Sequence, residues 1–194
     1  MIEMRLKIVH VGEPVLRGVS QKLSREEILS SSIQNLIEYM RETLRDAPGV
    51  GLAAPQVGEP FQLAVIEDKA EYQKLLTEFE LRERDRHEVP FHVIVNPVIE
   101  LLTEPVETFF EGCLSLPGYT ALVSRSKAVR VHCLDHQGEP RIIEASGWYA
   151  RILQHEIDHL NGTLYIDRMQ TRSFSSLDNY TRHWKDKPRT LLPA

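Results

Sequence analysis

The run WYARILQHEIDHL, residues 148–160, decides how the chain folds, because its apolar residues repeat at helical spacing and two histidines continue the stripe. Trp148 and Ile152 precede His155 and His159 along one face, with Leu153, Ile157 and Leu160 beside them. The pattern predicts a buried amphipathic helix terminated by Asn161 and Gly162. Both imidazoles then point inward, one helical turn apart and within reach of a single metal ion. Burying two imidazoles carries a desolvation cost that coordination offsets; hydrogen bonds to neighbours are the alternative way of satisfying them. Glu156, directly after the first histidine, stands where a carboxylate can move protons for a water activated by such a cation.

A catalytic metal in such a site takes a third protein ligand and keeps one position open. Cys113, in FFEGCLSLPG, fits because it follows a predicted strand and precedes a turn; the other reading of a lone cysteine is a small buried hydrophobe. Cys133, in the alternating run AVRVHCLD, is assigned to the core. Upstream, GVGLAAPQVG, residues 49–58, lacks the Lys-Ser/Thr ending of a phosphate-binding loop and does not match GxGxxG. Its small residues instead let a backbone approach a ligand closely, and Gln56 carries an amide able to donate to a carbonyl oxygen.

Around this centre, strands are predicted over 61–66, 91–96, 98–102, 106–110, 128–134 and 141–144, with a further strand over 163–166 after the helix. Short turns between consecutive strands imply mainly antiparallel pairing. Ile33, Leu36, Ile37, Met40 and Leu44 mark a second amphipathic helix, opened by Ser31 and Gln34 as a capping box and closed before Pro48 and Gly49. In the charged stretch 67–88, Tyr72, Leu75, Leu76 and Phe79 are spaced for one apolar helical stripe, and the polar LRERDRHE that follows reads as a solvated surface insertion. The expected fold class is α+β, with mainly antiparallel β-sheets packed around the C-terminal HExxH helix. Residues 1–194 are expected to form a single domain, with 182–194 a flexible tail.

Composition narrows the function classes. A formal net charge of −5 leaves no broad basic face for wrapping DNA or an anionic membrane, so small-molecule or peptide chemistry fits better. Two cysteines imply no disulfide framework and a reducing compartment. The opening MIEMRLKIVHVGEP lacks the apolar core of a secretory signal, and no run of about eighteen apolar residues occurs. The expected location is a bacterial-type cytoplasm, or an organellar matrix after removal of a transit peptide. No motif bears on oligomeric state.

Taken together, GVGLAAPQ at 49–56, EGCLS at 111–115 and HEIDH at 155–159 closely resemble, in order and spacing, the three signature motifs of peptide deformylases. Similarity extends to VGEPVLR at 11–17 and to GWYARILQ before the histidines, and so covers most of the chain. The resemblance implies an enzyme that removes the N-formyl group from nascent N-formylmethionyl polypeptides and releases formate. It implies metal ligation by Cys113, His155 and His159, with Glu156 as general base and acid. Gln56 and the backbone amide of Leu114 would polarise the formyl oxygen and stabilise the developing oxyanion. Val50, Phe109, Trp148, Arg151 and Ile152 would line the methionine pocket, with the Gly51 backbone pairing the peptide as an added strand.

Arg151 departs from many bacterial members, which are apolar there, although its methylene stem can line an apolar slot. LPGYT, residues 116–120, also lacks the charged, arginine-containing turn of some members. Both departures resemble the type found in organelles and some bacteria. The family pattern further implies that Glu111 pairs with Arg125 to support the Cys113 loop. One divalent ion is implied, iron(II) by resemblance, while a thiolate and two imidazoles also accept zinc, nickel or cobalt. The basic run RHWKDKPR, residues 182–189, reads as a solvated end or as a transient contact with ribosomal RNA near emerging chains.

Two rival readings stand beside this one. A general HExxH metallopeptidase would use an acidic third ligand such as Asp158 or Asp167. A non-catalytic structural-metal protein would close the shell with His132 or Cys133 and leave Glu156 dispensable.

Overall fold

Leu63, Ala64, Val65 and Ile66 are all fully buried, so the strand that carries them is covered on both faces, and this decides the layering of the molecule. The computed structural model describes residues 4–74, 76–185 and 187. In chain order the regular elements are α1 (Arg25–Leu29), α2 (Ser31–Asp46), β1 (Gly51–Ala53), β2 (Leu63–Asp68), α3 (Ala70–Gln73) and α4 (Glu78–Glu83). There follow β3 (Val89–Leu101), β4 (Glu107–Cys113), β5 (Leu116–Arg125), β6 (Ala128–Leu134) and β7 (Pro140–Ser146). The chain then forms α5 (Gly147–Leu160), α6 (Tyr165–Arg168), β8 (Ser175–Ser176) and α7 (Leu177–His183).

Five strands form an antiparallel sheet in the order β1-β2-β3-β6-β7, and three form a second in the order β4-β5-β8. Alternation along β2 and β3 sends Ala64, Ile66 and Ile94 toward Ile152, Leu153, Ile157 and Leu160 of α5. The intervening Leu63, Val65, Val93 and Val95 meet Ile33, Ile37, Met40 and Leu44 of α2. Each fully buried leucine or isoleucine at these contacts stabilises the packing by about 2 kcal/mol. The histidine-bearing helix is therefore central, with the larger sheet on one side and β4–β5 reaching it from another. No helix among the described residues is long and apolar enough to cross a membrane.

Several local expectations are corrected. The strands expected over 91–96 and 98–102 are one thirteen-residue strand, β3. Asn96 adopts a positive φ of 51° and the pairing register shifts between Val95 and Val98, so Asn96 and Pro97 form a bulge where the missing proline N–H interrupts no regular ladder. β5 was not anticipated, because its opening Leu-Pro-Gly carries a turn signature while its partner β4 supplies the pairing. Residues 163–166 do not form a strand: Tyr165 begins α6, and the Asp167 carboxylate accepts from the Leu164 N–H at 2.7 Å to cap it. The cap of α2 is Ser30 rather than Ser31, with its hydroxyl accepting from the Ile33 N–H at 3.3 Å, while Gln34 reaches the carbonyls of Ile28 and His136.

The stretch 67–88 forms two short helices instead of one stripe. Thr77 and Glu80 build the capping box of α4, Phe79 is exposed, and Leu75 lies outside the described residues. Its polar end is solvated only in part: Arg82, Glu83, His87 and Glu88 are exposed, while Arg84, Asp85 and Arg86 are half-buried. Ser146 donates to Asp85 at 2.9 Å, and the Trp148 N–H reaches the Asp85 carbonyl, so the segment is fastened to the start of α5. Gly147, at φ +56°, makes that contact possible, since a Cβ there would lie 2.5 Å from the Asp85 side chain and 2.8 Å from the Arg84 carbonyl. Of the expected tail over 182–194, Arg182 and His183 belong to the last turn of α7; residues 186 and 188–194 lie outside the described residues.

Candidate metal centre

Helical spacing on α5 and the end of β4 bring three soft or borderline donors together. His155 and His159 stand one turn apart with ring centroids 5.0 Å from each other, and the Cys113 sulfur lies 3.3 Å from His159 Nε2. Their ligand atoms all fall within 4.8 Å of one another. A tetrahedral cation with ordinary metal–sulfur and metal–nitrogen lengths places such donors about 3.5 Å apart, so the spacing fits one divalent ion. Among the described residues no other cluster of this kind occurs.

Glu111 on β4 orients the first imidazole. Its Oε2 lies 3.1 Å from His155 Nδ1, which turns Nε2 of that ring toward the donor cluster. The same carboxylate accepts two hydrogen bonds from Arg125, each at 3.0 Å, and one from Arg151 at 2.5 Å. Arg125 also donates to Asp158, which in turn accepts two bonds from Arg168 at 2.7 Å. Burial alone would raise the Glu111 pKa, but the His155 bond and the Arg125 charge outweigh it and hold the group well below the usual carboxylate range. Burial likewise opposes charge on both imidazoles. At His155 the Cys113 sulfur and Glu111 overcome it and raise the pKa, whereas His159 is held well below the ordinary value by burial and by neighbouring His155.

Glu156 sits on the next face of α5, almost fully buried, and its Oε2 has no hydrogen-bond partner in the protein. Burial pushes its pKa up to about 7; the charge of His155 opposes the rise and that of Glu111 adds to it. A buried carboxylate with a pKa near neutrality can exist in either protonation state, which is what proton exchange requires. Gln56, only 1% exposed, lies across the site in the 3-10 turn that follows β1. Its Oε1 accepts from the Ala53 N–H at 2.9 Å, which fixes the amide so that Nε2 faces Ser115 Oγ at 3.3 Å and Cys113 Sγ at 3.6 Å. Leu114 occupies the short turn between β4 and β5, beside Cys113.

The expected side-chain pocket residues separate into two groups. Phe109, Trp148 and Arg151 line a cavity of about 260 Å³. Val50, Gly51 and Ile152 do not line it: Ile152 of α5 is buried in the core with Val50 packed against that cluster, and Gly51 lies against Glu156. Arg151 contributes more than a methylene stem, because its guanidinium is buried, bonded to Glu111 and to the carbonyls of Val123 and Glu107, and stacked on Phe109 with its centre 5.0 Å from the ring. Arg84 and Arg86 of the insertion stack on Trp148 at 4.9 and 5.1 Å, a contribution that the polar run LRERDRHE does not signal. Ser115 and Asp158 were also not anticipated in these positions.

The alternative ligands are placed elsewhere. Asp158 is held by Arg125 and Arg168, and Asp167 by Arg17 and the Leu164 N–H. His132 is exposed on β6, and Cys133 is buried between the large sheet and α5, where burial pushes its thiol pKa up to about 11. None of the four belongs to the three-donor cluster.

Comparison with known proteins gives a consistent neighbourhood. The sequence profile of the polypeptide deformylase family matches residues 5–175. The chain is 47% identical over 172 residues to peptide deformylase 1A, chloroplastic, of Solanum lycopersicum, covering 89% of this chain and 62% of that protein. It is 44% identical over 173 residues to peptide deformylase 1A, chloroplastic/mitochondrial, of Arabidopsis thaliana, covering 89% of this chain and 64% of that protein. The chain thus spans somewhat less than two thirds of the length of these plant relatives. The Met-Ala-Ser-bound class I type b peptide deformylase of Acinetobacter baumannii superposes with a TM-score of 0.76 at 32% identity, covering 87% of this chain and all of that one.

Proposed function

This chain belongs to the polypeptide deformylase family, and on that footing we propose that it hydrolyses the N-formyl group of N-formylmethionyl peptides emerging from synthesis. The observation that carries the reading is the convergence of three separated motifs. Gln56 reaches the Cys113–His155–His159 cluster through Cys113, and Glu156 follows His155 on α5 with its carboxyl against Gly51, although these groups come from the turn after β1, from β4 and from α5. The overall reaction breaks the formyl C–N bond; water supplies the oxygen that leaves in formate, and a proton goes to the released amine.

A divalent cation held by Cys113, His155 and His159 would supply Lewis acidity and lower the pKa of a coordinated water. The remaining work falls to the chain's own groups. Glu156, with its raised pKa and free Oε2, accepts the proton of the attacking water and returns it to the amine nitrogen. Gln56 Nε2 and the backbone N–H of Leu114 donate to the formyl oxygen as negative charge develops on it. Glu111 keeps His155 in one ring orientation through Nδ1, with Arg125 and Arg151 holding Glu111. Phe109, Trp148 and Arg151 receive the methionine side chain, and the Gly51 backbone, on the side nearer Glu156, pairs the peptide as an added strand.

Iron(II) is proposed as the working ion, with zinc, nickel and cobalt able to substitute. The proposed setting is a bacterial cytoplasm or an organellar matrix, where formylated chains are made. A transient contact of the basic segment 182–189 with ribosomal RNA is part of the proposal; unchanged cosedimentation with ribosomes at low salt after its deletion would remove that element. The test of the function is formate release from formyl-Met-Ala-Ser by anaerobically prepared protein, alongside elemental analysis. Cleavage of the unformylated peptide instead would favour a metallopeptidase.

A further inference from the structure

Five side chains, two of them on α5, alternate cation and ring: Arg151, Phe109, Arg84, Trp148, Arg86. The guanidinium centres lie 5.0 Å (Arg151) and 5.2 Å (Arg84) from the Phe109 ring, and 4.9 Å (Arg84) and 5.1 Å (Arg86) from the Trp148 ring. The two outer cations are neutralised, Arg151 by Glu111 and Arg86 by two bonds to Asp68 at 2.8 and 2.9 Å. The central one is not. Among the described residues the Arg84 guanidinium has no salt bridge and no side-chain hydrogen bond; Tyr180, Glu83 and Glu80 act on it only through space, and its ring contacts are with Phe109 and Trp148. Its backbone is held in place by the neighbouring Asp85, fastened to Ser146 and to the Trp148 N–H.

Arg84 lines the same cavity as Phe109, Trp148 and Arg151. A guanidinium offers five N–H donors in a rigid plane, so a side chain entering that cavity meets aromatic walls together with donors that the protein leaves unmatched. A wholly apolar slot would scarcely separate methionine from norleucine, which has the same shape, and would reject a side chain ending in a polar oxygen. This cavity differs on both counts. Sulfur is polarisable and a weak acceptor, and a sulfoxide oxygen is a strong one.

We infer that Arg84 is a specificity-determining residue of this pocket, selecting first side chains that end in an acceptor atom and admitting methionine sulfoxide as well as methionine. The inference rests on the deformylase reading and names which substrates that site takes. Its consequence is that chains whose first methionine has been oxidised remain substrates.

The experiment measures kcat/KM of the metal-loaded enzyme, and of Arg84→Leu and Arg84→Lys, on formyl-Met-Ala-Ser, formyl-norleucyl-Ala-Ser and the methionine sulfoxide peptide. The sulfoxide-to-norleucine ratio should fall by about tenfold or more in Arg84→Leu, as for loss of a hydrogen bond from a charged donor, and recover in part in Arg84→Lys. The loss should be seen chiefly in KM, because the contact exists before and during the chemical step. A purely structural role would lower all three peptides alike and leave the ratio within about threefold, which would overturn the assignment. Turnover with an unchanged ratio sinks only the role of Arg84, whereas no formate from any peptide sinks the hydrolase reading together with it.

Discussion

The Glu156 carboxylate fills the space that a side chain on Gly51 would need: a Cβ built on Gly51 would lie 2.2 Å from the Glu156 Oε1 and 2.6 Å from its carboxyl carbon. The first β-strand therefore presses its backbone directly against the proposed proton carrier, and no larger residue fits unless Glu156 moves. This is a requirement of space, since Gly51 does not have a positive φ. Gly51→Ala should lower kcat by about 100-fold or more through displacement of a catalytic group by roughly 1 Å. Metal content should remain that of the native protein, because the atoms nearest a Cβ at position 51 all belong to Glu156, which is not one of the three donors. Steady-state kinetics with elemental analysis checks both, and full activity would show that Glu156 has no fixed place in the reaction.

Glu156→Gln keeps the shape and removes the proton exchange. Formate release should drop by about 10² to 10⁴-fold while bound metal is retained. Undiminished turnover, or loss of metal in step with activity, would return the site to a structural role.

Arg151→Met tests the buried charge network. The substitution removes hydrogen bonds to Glu111 and to two backbone carbonyls, leaving the Glu111 carboxylate with Arg125 and His155. A destabilisation of about 3 kcal/mol is expected, in the range for breaking one partner out of a buried ion pair. Denaturant unfolding of the metal-loaded protein measures it, and metal affinity in a chelator competition should weaken as His155 loses a rigid support. A neutral effect on both would mean that Arg151 acts only as a pocket wall.

The Arg45–Glu67 pair gives a pH signature away from the metal. Glu67 accepts two bonds from Arg45 at 2.8 and 2.9 Å, and these lower its pKa against the opposing effect of burial. A carboxylate with a depressed folded-state pKa binds protons more weakly when folded than unfolded, so its stabilisation is present above the unfolded value and lost as pH falls through the folded one. Glu67→Gln should therefore be less stable than the parent at pH 7, with the difference in Tm disappearing in strong acid. A gap that persists unchanged to the lowest pH would show that the effect comes from packing.

The proposed proton carrier and the two histidines of the donor cluster are legible because their signals are local. His155 and His159 lie four residues apart on a helix whose apolar stripe is visible in the sequence, and Cys113 ends a strand visible in the same way. β6 matches its expected bounds because strict alternation and flanking turns isolate it. β5 is hidden by a Pro-Gly opening whose turn propensity is overridden by pairing with β4, and residues 163–166 carry a strand-like pattern although Asp167 caps a helix there. Both errors arise where a partner distant in the chain, or one capping contact, outweighs intrinsic preference.

The sequence by itself determined that His155, Glu156 and His159 share one turn of helix, since that depends on residue type and short spacing. The tertiary structure alone decided what surrounds them. Arg84 meets Trp148 across 64 positions of chain and Arg151 meets Glu111 across 40. Periodicity cannot encode such contacts; closure of the sheet against α5 turns a charged run that looks solvated into the wall of a cavity.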